Sequence, residues 1–159
     1  MRYIILILLL ISLSLCYSCK KTASDSEQSK YAFRQDGELQ IFDKSNHLKA
    51  TFRIEIAQTE NEEMQGLKYR ESMDADAGML FIFKQPDIYD FWMQDTYLPL
   101  DMLFISAEGE VNYIYENAKP FSEERITPDH IHQYVLEVNA GTVKKNNLQN
   151  GDIVKWKRL

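Results

Sequence analysis

Six residues of this 159-residue sequence have types and spacing that could do chemistry: Arg70, Trp92, Thr96, Asp101, Glu137 and Asn139. Asp101 and Glu137, together with Asp95, would serve acid–base hydrolysis or an oxygen-rich metal site if the fold gathered them. Each acid also has a plainer use. A carboxylate just after a proline, as in Pro99-Leu100-Asp101, accepts backbone N–H bonds of its turn, and Asp95 suits the turn before it. Arg70 either binds an anion or forks onto Asp101 or Glu137, and the internal pair is the expected role. Trp92, between Phe91 and Met93, either offers a platform to a sugar or other flat ligand or fills the core, the commoner fate of such a run. Thr96 closes that polar corner. Asn139 is expected to cap a short helix starting near Ala140.

His130 and His132 are the candidate metal ligands. Zinc needs three or four ligands, and neither an HExxH motif nor a second histidine pair is present, so both are expected as exposed loop residues. Nucleotide-binding loops, GxSxG elbows and redox cysteine pairs are missing too, and no cofactor is expected.

The elements that must position these residues surround Gly78–Ser106. Met79–Phe83 and Met102–Ile105 are unbroken apolar runs, too short for helices, which predicts strands buried on both faces. Upstream, Glu38–Phe42 and Lys49–Ala57 predict a hairpin turning at Asp43-Lys44-Ser45-Asn46, with Phe52, Ile54 and Ile56 inward and Arg53 and Glu55 wet. Thr59 and Glu62 form a capping-box pair for a short helix to Gln65, docked through Met64 and Leu67, with Gly66 as its C-cap. Strands are also expected at Glu110–Tyr115, Gln133–Val138 and Ile153–Lys157, with a long irregular loop over Asn117–His132. Many short strands and two small helices indicate a mainly β domain, a small β-sandwich or a partly closed jelly-roll-like barrel.

A net charge of −6, with no basic stripe between aromatics, argues against a nucleic-acid partner. Tyr3–Leu15, after the single charge of Arg2, has the length of a secretory h-region and falls short of a spanning helix. Ser18-Cys19-Lys20-Lys21 resembles the processing site of a bacterial lipoprotein. That resemblance implies residues 1–18 as signal peptide, lipid on Cys19 and an address in the cell envelope, at the outer membrane. Lys20–Lys30 is too polar to order itself and is expected as a tether, leaving 31–159 as one globular domain. Cys16 would leave with the signal, so the domain would hold no thiol.

The blocks Gly66-Leu67, Gly78–Phe83, Phe91-Trp92-Met93, Pro99-Leu100-Asp101 and Val135–Gly141 resemble domain-of-unknown-function family 192. The resemblance covers about Thr51 to Trp156. It implies a small jelly-roll-like β fold and no particular activity. The reading that follows is a lipid-anchored, non-enzymatic accessory domain for a glycan, a small molecule or an envelope protein. The alternative is a metal-assisted hydrolase using Asp101, Glu137 and the loop histidines.

Overall fold

Among the described residues the elements follow in the order β1 (Gly37–Phe42), β2 (Leu48–Ala57), α1 (Glu60–Gln65), β3 (Ala77–Asp87), β4 (Leu100–Ile105), β5 (Val111–Ala118), β6 (His132–Asn139), α2 (Thr142–Lys145) and β7 (Ile153–Arg158). This computed structural model describes residues 31–159. The expected signal, Cys19 and tether lie outside the described residues. From Phe33 to Leu159 the chain forms one compact unit, and it is mainly β, as its short apolar runs predict.

All seven strands join one mixed sheet in the order β5-β4-β6-β3-β2-β1-β7. β1 and β2 are the expected hairpin. Its turn is held by Asp43, whose Oδ1 accepts the backbone N–H groups of Ser45 at 2.8 Å and His47 at 2.9 Å. β2 and β3 pair in parallel, so the segment carrying α1 is a crossover lying over one face of the sheet. The two edge strands approach at one end, where Glu110 bridges Ile153 and Val111 donates to the Asp152 carbonyl at 2.9 Å. The sheet curls without closing into a barrel.

Curling gives the sheet two apolar faces. Leu39, Ile41, Phe52, Ile54, Leu80, Leu103, Leu136 and Val138 fill the inner one. Met79, Phe81, Phe83, Leu100, Met102, Phe104 and Val135 form the outer one. Neighbours such as Leu80 and Phe81, or Leu103 and Phe104, face opposite ways, and both are buried. The unbroken runs of β3 and β4 have this cause. Gly78 is needed where β3 meets β6, because a Cβ there would lie 2.8 Å from the Glu137 carbonyl oxygen.

The outer face is roofed by the connections before β4 and before β6. Phe91 and Ile126 exchange backbone hydrogen bonds at 3.0 and 2.8 Å, and Met93 donates to the Ser122 carbonyl at 2.9 Å. The long Asn117–His132 stretch is therefore less irregular than its prolines suggest. β5 runs on to Ala118 and β6 begins at His132.

The capping box of α1 is present as expected, with Thr59 accepting from the Glu62 N–H and Glu62 accepting from the Thr59 N–H. The docking of α1 is different. No residue of the helix is buried, and Met64 is 69% exposed. Only Leu67, beyond the Gly66 turn, enters the outer core. With none of its residues buried, α1 stands off the sheet, and a cavity lies between it and β3.

Candidate cavity on the outer face of the sheet

Register sets the polar centre of the outer face. Glu55 pairs with Met79, Met79 with Glu137, and Glu137 with Met102, so these four side chains form a row across β2, β3, β6 and β4. Glu55 was expected on a wet face, because its neighbours alternate. It is buried instead, since the parallel crossover and its loop cover that side of β2. Arg70, three residues beyond Leu67, reaches back over the row. Its guanidinium forks onto Glu55, Nη1 to Oε1 and Nη2 to Oε2, the latter at 2.7 Å. The arginine makes an internal ion pair as expected, with a different partner.

Glu137 is the unmatched member of the row. It is buried, and no group of the described residues donates a hydrogen bond to its carboxyl. Burial pushes its pKa from 4.5 up to about 8, with the charge of Arg70 opposing. The physical reason is desolvation: an ionised carboxylate would lose its water here. Arg70, the cation opposing the shift, is already paired with Glu55. At neutral pH Glu137 is an uncharged acid.

That acid lies in the lining of a cavity of about 360 Å³. Glu60, Glu63 and Met64 of α1 line it together with Gly66 and Lys68. Phe81 and Phe83 of β3, with Tyr89, Phe91, Trp92 and Thr96 of the roof, supply the rest of its character. Phe83 and Tyr89 stack with ring centroids 3.8 Å apart, and Phe81 meets Phe91 edge-on at 5.2 Å. Gly66 has φ 48°, a conformation that lets the chain leave the helix and turn down to Leu67.

The aromatic run splits by role. Met93 is in the core and Phe91 half-buried, but Trp92 is 43% exposed at the cavity rim, with Lys68 Nζ and the Arg125 guanidinium each 5.7 Å from its ring centroid. Thr96 is buried, and its carbonyl accepts from Phe121. Asp95 joins the two sides of the rim. Its carbonyl accepts from the Tyr69 N–H at 2.9 Å and its carboxylate from the Tyr69 hydroxyl at 3.1 Å, a contact across loops where a local turn bond was expected.

Comparison with known proteins agrees with the residue blocks quoted above. The family model DUF192, described as "Uncharacterized ACR", matches residues 41–156. The chain belongs to this family. A solved structure from Sinorhizobium meliloti 1021, provisionally described as a transcription regulator, is 38% identical, with a TM-score of 0.74 over 79% of this chain and 98% of its own. A protein of unknown function from Novosphingobium aromaticivorans DSM 12444 is 32% identical, with a TM-score of 0.70 over 75% of this chain and 84% of its own. No curated protein matches.

The remaining candidates of this DUF192 domain lie apart from the cavity. Asp101 pairs with Val138, which places its side chain on the inner face, opposite Glu137. It is fully buried and accepts from the Asn117 N–H at 3.0 Å and the Val143 N–H at 2.9 Å. Its partners are backbone groups, as expected, but they come from the end of β5 and the start of α2. Asp101→Ala should therefore cost roughly 2–4 kcal/mol, since two anchoring bonds go and buried donors are left unmatched. An unshifted urea midpoint would remove that role.

Asn139 does not cap α2. The N-cap is Gly141, and the Asn139 amide instead donates to the carbonyls of Met73 at 2.9 Å and Asp74 at 3.2 Å, holding the crossover to the sheet. His132 is also not a loop residue. It is fully buried at the start of β6, edge-on to Phe104 at 5.0 Å, with Nδ1 3.1 Å from the His130 carbonyl and Nε2 unpartnered. Burial lowers its pKa from 6.5. His130 is exposed beside Asp129. Among the described residues, no three His, Cys, Asp or Glu side chains gather as a metal site. Of the six sequence candidates, Trp92, Thr96 and Glu137 share the cavity, while Arg70 is paired with Glu55. Sequence reasoning missed Glu55 as that partner and the α1 acids in the lining.

Proposed function

We propose that this protein is an envelope-anchored, non-enzymatic binding module whose small-molecule ligand occupies the cavity beside α1. One observation carries the reading: the Glu137 side chain is buried, accepts no hydrogen bond from the described residues and lines an aromatic cavity. Leaving such a group unpaired costs stability, and a ligand that pairs with it recovers that cost. A cavity of about 360 Å³ with apolar walls and few polar groups is of the kind that small-molecule sites use. Catalysis has less support, because the two acids with most potential, Asp101 and Glu137, face opposite sides of one sheet. The net charge of −6 argues against extending the regulator description of the Sinorhizobium relative to this chain.

The anchor is part of the same proposal. Lipid on Cys19 with Lys20–Lys30 as tether would hold the domain at the outer membrane, and a Cys19→Ser chain should leave the membrane fraction. Retention of that variant would sink this part.

A thermal-melt panel of small polar and amphipathic compounds on the purified chain tests the cavity. A ligand at a hundred times its Kd adds about 2.7 kcal/mol, or roughly 10 °C in a domain of this size. The shift should vanish in Trp92→Ala and Glu137→Gln variants that still fold. A shift of equal size in both variants would place the ligand elsewhere.

A further inference from the structure

The charges and rings around Glu137 narrow the ligand class. Facing the cavity are four acids, Glu60, Glu63, Asp90 and Glu137, against Lys68, which lies toward the Trp92 ring at the rim, and Arg125, which lies over the same ring and pairs with Asp90. Arg70 acts on Glu137, but its charge is already matched by Glu55. The interior thus offers anionic groups and the faces or edges of five aromatic rings, and no free cation within it. Aromatic walls with carboxylates attract organic cations, because ring faces carry negative potential. An anionic ligand would find its only cations at the rim and would meet the acidic side chains of Glu60, Glu63 and Glu137 inside it.

We propose that the cavity takes an organic ammonium ion, its charge seated against the Glu137 carboxyl and its apolar body against the aromatic walls, with one proton released from Glu137 as it binds. This rests on the small-molecule reading above. Without ligand, the cation acting on Glu137, Arg70, is paired with Glu55, and burial keeps the proton on Glu137. The ammonium supplies the missing charge, so the O–H bond of the carboxyl breaks, its proton passes to solvent, and a carboxylate–ammonium pair remains. Total charge balances: one cation enters the site and one proton leaves it. Arg70, Glu60, Glu63, Lys68 and Asp90 are the other charged groups facing Glu137 or its cavity, with Arg125 paired to Asp90 and Lys84 acting on Glu63 from its edge.

Choline and its neutral carbon isostere, a dimethylbutanol, make the matched probes, and phenethylammonium adds an aromatic cation. Choline has no titrating group near neutrality, so any pH dependence belongs to the protein. Titration calorimetry on the full chain, run in two buffers of different ionisation enthalpy, should show choline binding with release of about one proton at neutral pH. Affinity should rise about tenfold between roughly pH 6 and pH 7 and level off above about pH 8. Glu137→Gln should abolish the proton release and weaken the cation at least about tenfold, while leaving the isostere unchanged. Trp92→Ala should weaken both probes.

Equal binding of choline and the isostere would overturn the cation assignment and leave the cavity reading standing. Binding of neither cation at millimolar concentration, with shifts by other compounds in the melt panel, would do the same. If no compound binds in the cavity, both readings fall. A cation that binds without proton release would place its charge away from Glu137 and overturn the proposal.

Discussion

Arg70→Ala is expected to destabilise the domain by roughly 3–5 kcal/mol, the range for breaking a buried ion pair from one side. The guanidinium forks onto Glu55, and both residues are buried. Removing it leaves the buried Glu55 carboxylate without its hydrogen-bonded partner, with only the half-exposed Arg34 acting on it among the described residues. It also removes the cation that acts on Glu137. Arg70→Lys keeps the charge but not the fork, and should recover only part of the loss. The double replacement Glu55→Leu with Arg70→Met should lie closer to the parent than Arg70→Ala does, because no charge is then stranded. Denaturant midpoints for the four chains decide the matter. A loss below about 1 kcal/mol for Arg70→Ala, the ordinary size for an exposed pair, would mean that the pair is solvated in solution.

Glu137 gives the second large effect, and pH reveals it. Its folded pKa of about 8 lies above the ordinary 4.5, so between these values the folded chain holds a proton that the unfolded chain has released. Stability from this group is complete below about pH 4.5, falls as pH rises, and is flat again above about 8. At about 1.4 kcal/mol for each pH unit, the loss across the window is roughly 5 kcal/mol. His132 acts the other way. Burial lowers its pKa, so stability rises as pH climbs toward 6.5, and the raw curve mixes both groups. Glu137→Gln separates them. It should match the parent within about 1 kcal/mol near pH 5, where both side chains are uncharged, and exceed it near pH 9 by most of the window's loss. Equal slopes in the two chains from pH 5 to 9 would show that Glu137 is ionised in the folded state at neutral pH.

Both effects belong to one row of side chains that no local pattern announces. Alternation along β2 assigns Glu55 to solvent, because Phe52, Ile54 and Ile56 already fill the other face. What buries Glu55 is the parallel pairing of β2 with β3, which brings the crossover, and Arg70 with it, over that side. The same pairing puts Met79 between the two glutamates. Trp92 illustrates a smaller gap. A Phe-Trp-Met run reads as core, and two of its three members are packed inward, but the bond from Met93 to Ser122 in the roof leaves the indole facing out.

Several features were determined by the sequence alone. The two unbroken apolar runs, the Asp43 turn and the Thr59–Glu62 capping box all appear where the residues predict them, and the mainly β class with two short helices follows from the same signals. Each depends on interactions within a few residues, or on whether a whole strand face is wet or dry. The tertiary structure alone decided which acid Arg70 neutralises, that Asp101 and Glu137 lie on opposite faces, that α1 stands off the sheet, and that Glu137 therefore lines a cavity as a neutral acid. Those outcomes depend on strand order and register between segments tens of residues apart, and a shift of one residue in pairing would reverse every face.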